Sequence, residues 1–443
     1  MLKNIKVMEM KRSIYNELLR WKQRTERKPL ILLGARQVGK TYILKKFGEA
    51  EYDHLIYINC HRNAFAESLF ANGFDIPKIL HRVSLFYETD IIPGRTLLFF
   101  DEIQEIPQGI PSLKYFCEDA PEQHVVVAGS LLGITLRHGE SYPVGKVNTL
   151  KMFPMTFSEF LNASGRTKLR TALDSLDYDT IRILHDEFAD LLRQYYFTGG
   201  MPEAVRTYLS THDTEETRRV QHEILDAYEN DMAKHTATET QRIRMVWNSI
   251  PSQLARERKK FKYSDVAHGA RAREYEIALQ WLVDAGLVYK VERAKQPIHP
   301  LKFYADNSAF KIYMNDCGLL AAMYDAQPRD MLLGNQVFES FKGAFTENYV
   351  LQQLIAHDSL PVFYYSKDNS TMEVDFLVQT PHRIIPTEVK AEENVKSKSL
   401  SAFVTHEFGS HQLKGLRCSM KSYIDQGWME NIPLYAVEAY FHS

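Results

Sequence analysis

Cysteine is scarce in this chain: four among 443 residues, namely Cys60, Cys117, Cys317 and Cys418. No two stand at CxxC spacing and none joins histidines at zinc-finger spacing, which argues against a structural zinc site. Two disulfides are arithmetically open, but a chain of this length does not need them, and a reduced, cytoplasmic setting is the expectation. Long apolar runs are missing as well. The longest, around Leu30–Leu33, Leu97–Phe100 and Val125–Ala128, are far shorter than the roughly 20 residues that cross a bilayer. The opening residues contain no apolar stretch of signal-peptide length. Neither a membrane span nor a leader is therefore expected. An excess of one charge is lacking too: 54 Lys and Arg stand against 56 Asp and Glu, a net charge of −2. That speaks against a uniformly basic nucleic-acid coat but leaves room for a local basic face.

What is present describes an ordinary globular chain. Hydrophobic residues make up 44% and charged residues 25%, and the length suggests about three domains. There is no internal repeat and no low-complexity linker. Ile14, Leu18, Leu19 and Trp21 are spaced for an amphipathic helix. Four short apolar runs, at 30–33, 55–58, 96–100 and 125–128, read as strands buried on both faces, with helical stretches between them. This β-α-β-α order predicts a parallel sheet covered by helices. Residues 180–255 are helical in composition, broken by the Gly199-Gly200-Met201-Pro202 turn. Two helical patterns and the alternating stretch Gly286–Glu292 then suit a winged-helix unit. From about 335, an amphipathic helix (345–357) leads into strand-like segments at 362–365, 373–378 and 384–389. The division expected is 1–180, 181–330 and 331–443.

Residues Gly34-Ala35-Arg36-Gln37-Val38-Gly39-Lys40-Thr41 follow a strand and open a helix, in the pattern GxxxxGK[ST]. The glycines let the backbone turn tightly against a phosphate, and successive N–H groups with the helix N-terminus face its negative charge. Lys40 reaches toward the β- and γ-phosphates and the Thr41 hydroxyl toward Mg²⁺. The strand 96–100 runs into Asp101-Glu102. In that context Asp101 supports the metal and Glu102 orients and deprotonates the attacking water. Ser130, just past the strand 125–128, is a candidate γ-phosphate sensor; the other reading is an ordinary loop serine.

Between Arg256 and Arg273 lie seven basic residues (Arg256, Arg258, Lys259, Lys260, Lys262, Arg271 and Arg273), opposed only by Glu257 and Asp265. A phosphate-backbone footprint and a solvated helix face are equal readings of such a run. Near the end, Glu347, Asp375, Glu388 and Lys390 form a second constellation. Strand alternation puts Glu388 and Lys390 on one face. Charged groups among Phe376, Leu377 and Val389 need a reason. Glu347, Asp375 and Glu388 could ligate Mg²⁺ beside a scissile phosphate, with Lys390 stabilising charge, in the order of PD-(D/E)xK nucleases. The plain alternative is a pair of edge strands with outward charges.

Taken together, GARQVGKT (34–41), LLFFDEI (97–103), FPMTFSEF (153–160), TGGMPEAV (198–205), GAFTENYVL (343–351), EVDFLV (373–378), PTEVK (386–390) and NIPLYAV (431–437) resemble bacterial and archaeal proteins that join an AAA-type ATPase domain to a C-terminal DUF4143 domain. The resemblance implies an α/β fold: a P-loop parallel sheet with a helical lid, a winged-helix middle and a restriction-endonuclease-like end. It implies ATP binding with Mg²⁺ and slow hydrolysis. One departure is Gly145-Lys146, where many relatives carry Gly-Arg, which puts a bidentate arginine role in doubt. The expected partners are ATP or ADP and DNA, with no membrane, and a homo-oligomer if an arginine such as Arg137 acts in trans. A different class of reading is an ATP-regulated scaffold whose nuclease-like domain is silent, and a third is a transcription regulator using 240–300.

Overall fold

The computed structural model describes residues 10–442, apart from 72, 131, 134–142, 235, 257–258, 334–335, 357–359 and 392–396. Arg137, Glu257, Arg258 and His357 therefore lie outside the described residues. The chain forms two compact units. One comprises Lys11–Phe153 with Asp284–Gly286, the other Met10 with the described residues of 154–283 and 287–442.

The first unit is built on five parallel strands in the order β2-β3-β4-β1-β5: β1 (Leu30–Leu33), β2 (His54–Asn59), β3 (Thr96–Asp101), β4 (His124–Ala128) and β5 (Asn148–Lys151). The first four are the four apolar runs of the sequence. Every residue of β3 and β4 is buried, as expected when helices cover both faces of a parallel sheet. β5 has no apolar run; its residues alternate between half-buried and exposed on the sheet edge. Ile31, Ile56, Ile58, Leu98, Phe100, Val125 and Val127 contribute to a core closed by Leu69, Ile79, Val83, Leu113 and Phe116 from the helices Ala64–Phe70, Ile76–Tyr87 and Gly109–Asp119. In this order β1 lies between β4 and β5, and β3 between β2 and β4. The carboxyl ends of β1 and β3, where the two acidic and glycine-rich motifs begin, thus share one edge of the sheet.

The second unit begins with helices and ends in an eight-stranded mixed sheet of order β12-β13-β11-β10-β9-β8-β6-β7. Its strands are β6 (Val288–Ala294), β7 (Ala305–Met314), β8 (Val362–Ser366), β9 (Glu373–Gln379), β10 (Ile384–Val389), β11 (Gly415–Ser419), β12 (Ile424–Asp425) and β13 (Met429–Pro433). The helices Ala237–Leu254 and Ala272–Asp284 precede the antiparallel β6–β7 pair, the order read as a winged helix. That pair also continues the C-terminal sheet, because β6 runs parallel to β8 at Arg293 and Tyr364.

Two of the quoted sequence motifs serve the packing of this unit. Thr156 and Glu159 of FPMTFSEF form a reciprocal capping box on the helix Phe157–Ala163. In TGGMPEAV, the Gly200 N–H donates to Asp316 Oδ2 at 2.6 Å. Gly199 has φ +67°, and a Cβ there would meet Asp316 Oδ1 at 2.0 Å, so this turn requires glycine.

Candidate functional site

The phosphate-loop motif sits where β1 passes into the helix Lys40–Glu51. Gly34 (φ +149°) and Gly39 (φ +98°) take up backbone conformations that disfavour a side chain. At Gly34 space forbids one as well, since a Cβ would stand 2.3 Å from the Met152 carbonyl oxygen. Ala35 and Val38 are buried, Arg36 is half-buried, and Gln37 is exposed with φ +67°. A buried arginine, Arg12, ties the loop down: its guanidinium donates to the Val38 carbonyl at 2.9 Å and to the Phe153 carbonyl at 2.6 Å.

Lys40 is buried, and its Nζ donates to the carbonyls of Gly34 at 2.8 Å and Ala35 at 2.9 Å. Burial pulls its pKa down to about 8, against the opposing pull of Glu102 and Asp101. The Thr41 hydroxyl donates to Asp101 Oδ2 at 2.8 Å. The glycine-rich loop and the acidic strand end therefore converge as the sequence predicts. Burial raises the Asp101 pKa above the usual aspartate range, while hydrogen bonds from Thr41 and Tyr57 oppose the shift.

Tyr57 is a member of this site that the sequence reading missed. From β2 its hydroxyl donates to the same Asp101 Oδ2 at 3.0 Å, and the Lys45 ammonium lies 3.5 Å from the centre of its ring. Register places it there, because β2 pairs in parallel with β3 and sets Tyr57 opposite Phe99 and Asn59 opposite Asp101. Strand pairing cannot be read from a single run of residues; an aromatic hydroxyl in the otherwise aliphatic run 55–58 was the available signal.

Glu102 stands in the left-handed region at φ +53°. Its Oε2 accepts from Gln104 Nε2 at 2.5 Å, from the Ser130 amide at 3.1 Å and from the Ser130 hydroxyl at 3.3 Å. Ser130 is thus brought to the acidic strand end. The Gln104 amide fills the space a side chain at Gly129 would need, 2.0 Å from the Cβ position.

The second constellation lies in the mixed sheet and the helix Gln336–Ile355. β10 is an interior strand, buried throughout, so the alternative of edge strands with outward charges does not describe it. Glu388 Oε1 pairs with Lys390 Nζ at 2.9 Å, which confirms that the two share a face. Asp375 Oδ2 accepts from the Val389 amide at 2.8 Å. Burial, and then repulsion from Glu347, raises the Asp375 pKa to about 7. Burial would lower the Lys390 pKa, but Glu388, Asp375 and Glu347 raise it.

Glu347, expected as a metal ligand, is otherwise engaged. It ion-pairs with Lys259, accepts from the Tyr313 hydroxyl at 3.1 Å, and lies 3.9 Å from Lys311 Nζ. Burial opposes its ionisation, but Lys259, Lys311 and the Tyr313 hydroxyl hold its pKa below the usual glutamate value. Lys311 has no exposed surface, pairs with Glu373 at 2.5 Å, and stands 5.0 Å from the centre of the Tyr364 ring. The pairing is an ion pair without an aligned hydrogen bond. Lys259 corrects the basic footprint as well: it faces inward, whereas Arg256, Lys260, Lys262, Arg271 and Arg273 are exposed, Arg256 pairing with Asp265.

A magnesium ion fits the first site, where a hydroxyl and a carboxylate from two elements meet beside a phosphate-binding loop. At the second, lysines pair with Glu347 and Glu388, and Asp375 accepts a backbone amide. Among the described residues no group of three or more His, Cys, Asp or Glu is arranged to hold a metal ion. Among them, too, no helix is long and apolar enough to cross a membrane.

Comparison with known proteins agrees with this layout. Residues 26–161 match the model of an AAA domain, residues 189–330 a domain of unknown function (DUF8612), and residues 342–436 a domain of unknown function (DUF4143). No curated protein matches the chain. Similar solved structures include the Orc1 protein of Aeropyrum pernix in complex with DNA, at 14% identity and TM-score 0.26, covering 71% of this chain and 90% of that one. The Cdc6p of Pyrobaculum aerophilum aligns at 12% identity and TM-score 0.25, covering 74% and 97%. The S. cerevisiae Hsp104–ADP complex aligns at 12% and 0.29, covering 76% of this chain but only 43% of that one. At these scores the likeness bears on neither activity nor partner.

Proposed function

We propose that this chain, which joins an AAA domain of the P-loop type to a DUF4143 domain, binds ATP with Mg²⁺ and hydrolyses it. The observation that carries this reading is the 2.8 Å hydrogen bond from Thr41 to Asp101, which unites the two motifs. The backbone amides of 34–40 receive the phosphates. Lys40 exchanges two neutral carbonyls for charged phosphate oxygens, a stronger acceptor. Thr41 and Asp101 hold the metal, which when bound neutralises charge on the β- and γ-phosphates. Glu102 then orients and deprotonates the attacking water once it leaves Gln104, and Ser130 stands where it can sense the γ-phosphate.

Substitution tests the assignment directly. Lys40→Ala abolishes nucleotide binding. Glu102→Gln keeps binding but slows turnover by about 10²-fold or more, the usual contribution of a positioned base. Normal hydrolysis by the Lys40 variant would sink the assignment.

The remaining parts are read as effectors of the nucleotide state, acting on DNA, with 1–180, 181–330 and 331–443 as ATPase, helical and winged-helix, and nuclease-like segments. The exposed Lys260, Lys262, Arg271 and Arg273 support DNA contact. Charge reversal at Lys260 and Arg271 then weakens DNA binding and flattens its salt dependence; unchanged affinity removes this partner. The spacing of Asp375, Glu388 and Lys390 supports a nuclease-like domain, and the engagement of Glu347 by Lys259 favours a silent one. Plasmid cleavage with Mg²⁺ or Mn²⁺ that Asp375→Ala abolishes would restore the active form. A homo-oligomer and a cytoplasmic location complete the proposal.

A further inference from the structure

The carboxylate cluster of the second unit is already supplied with cations. Lys259, Lys311 and Lys390 face Glu347, Glu373, Asp375 and Glu388 through the pairs Lys259–Glu347, Lys311–Glu373 and Lys390–Glu388. Three ammonium groups thus meet four carboxylates; one of the four, Asp375, is held by a backbone amide, and the buried Arg417 stands opposite Glu388 in the β10–β11 register. A buried charge must be matched nearby, because taking an ion out of water is costly. Adding a dication to this set would leave an unmatched positive charge. Lys259 and Glu347 have exposures of 9% and 8%, and Glu388 keeps Oε2 buried with no hydrogen-bond partner among the described residues.

Lys259 differs from the other two lysines in origin. It comes from the segment after the helix Ala237–Leu254, 88 positions away from Glu347, and arrives among basic neighbours that face outward. Lys311 and Lys390 belong to or adjoin strands of the sheet itself. We propose that Lys259 is the resident cation of this cluster, standing where a divalent cation would otherwise bind Glu347, Asp375 and Glu388, so that the wild-type cluster holds no divalent metal. The inference rests on the nuclease-like reading of 331–443 only for the expectation of a metal, and its test reads binding rather than cleavage.

Removing Lys259 leaves the buried Glu347 without its ion-pair partner, a vacancy that a dication can fill. Mn²⁺ bound to the full, nucleotide-free chain is counted by electron paramagnetic resonance. Wild type and Asp375→Asn bind equal amounts. Lys259→Met binds one additional Mn²⁺ per chain, and Lys259→Met/Asp375→Asn loses it again. Lys259→Arg, which keeps the cation, behaves as wild type. The inference is overturned if Asp375→Asn lowers the Mn²⁺ count of the wild type, or if folded Lys259→Met gains none. Should Lys259→Met not fold, the wild-type and Asp375→Asn comparison decides alone: equal counts support the inference and a loss overturns it. A gain in Lys259→Met without DNA cleavage by any variant refutes an active nuclease and leaves the resident cation standing. Wild-type cleavage with Asp375-dependent Mn²⁺ does the reverse.

Discussion

Tyr57→Phe deletes one oxygen atom and keeps the ring that Lys45 covers. The lost bond is the 3.0 Å donation to Asp101 Oδ2, which also accepts from Thr41. A hydrogen bond to a charged group contributes about 1.5–3 kcal/mol. Tyr57 is only half-buried, so water replaces part of that, and the lower end of the range applies. A loss of about 1.4–2 kcal/mol is a ten- to thirtyfold effect. It should fall on the metal, because Asp101 is left with Thr41 alone to orient it. The hydrogen bond from Tyr57 also opposes the burial that raises the Asp101 pKa, so its loss moves the carboxyl further upward. The assay is ATP turnover titrated with Mg²⁺ at several pH values. The half-saturating Mg²⁺ concentration should rise about tenfold or more. Turnover at saturating Mg²⁺ should stay near the wild-type value, and the acid limb of the pH profile should shift to higher pH. An unchanged Mg²⁺ requirement, or an equal loss of ATP affinity in the presence of a chelator, would refute the role assigned to Tyr57.

Other predictions concern protons and the latch on Glu102. Burial lowers the Lys40 pKa to about 8, and bound phosphate favours its charged form. ATP binding near pH 8 therefore takes up a proton, and affinity falls as pH rises through that value; calorimetry in buffers of different ionisation enthalpy measures the uptake. Gln104→Leu removes one donor from the Glu102 carboxylate; at the lower end of the range for charged groups, about 1.5 kcal/mol, this predicts roughly a tenfold rise in basal hydrolysis, and slower turnover would contradict it. Asp375 has its pKa raised from 3.8 to about 7, so the folded state binds more protons than the unfolded one between those values. Its favourable contribution is present in acid and is lost as pH rises through about 7. Asp375→Asn should flatten that part of the thermal-stability profile of its unit.

The parallel sheet was legible because its interior strands advertise burial by composition. Leu97–Phe100 and Val125–Ala128 are continuous apolar runs, and the strands that contain them are buried along their length. β5 escaped because an edge strand needs no such run: Asn148-Thr-Leu-Lys151 carries a single aliphatic side chain. In the nucleotide site, contiguous spacing sufficed for residues 34–41 and for Asp101 and Glu102. Tyr57 depended on pairing between distant strands. The C-terminal cluster was half visible for the same reason. Asp375, Glu388 and Lys390 lie close enough in sequence to form a pattern, whereas Lys311 and Lys259 come from segments 64 or more positions upstream of Asp375. Lys259, in a run of basic residues, carried no mark distinguishing an inward side chain from a solvated one. Burial against a carboxylate is a third fate for such a lysine, beside the footprint and the solvated face.

Arg12 gives the phosphate loop a mechanical property. One guanidinium grips both Val38, inside the loop, and Phe153, the last residue of the first unit before the chain passes into Pro154. A planar, rigid fork transmits displacement rather than absorbing it. A shift of the loop therefore pulls on the Phe153 carbonyl for as long as the bonds to Val38 and Phe153 both hold. The point at which the chain leaves the unit thereby becomes a strain gauge for the loop.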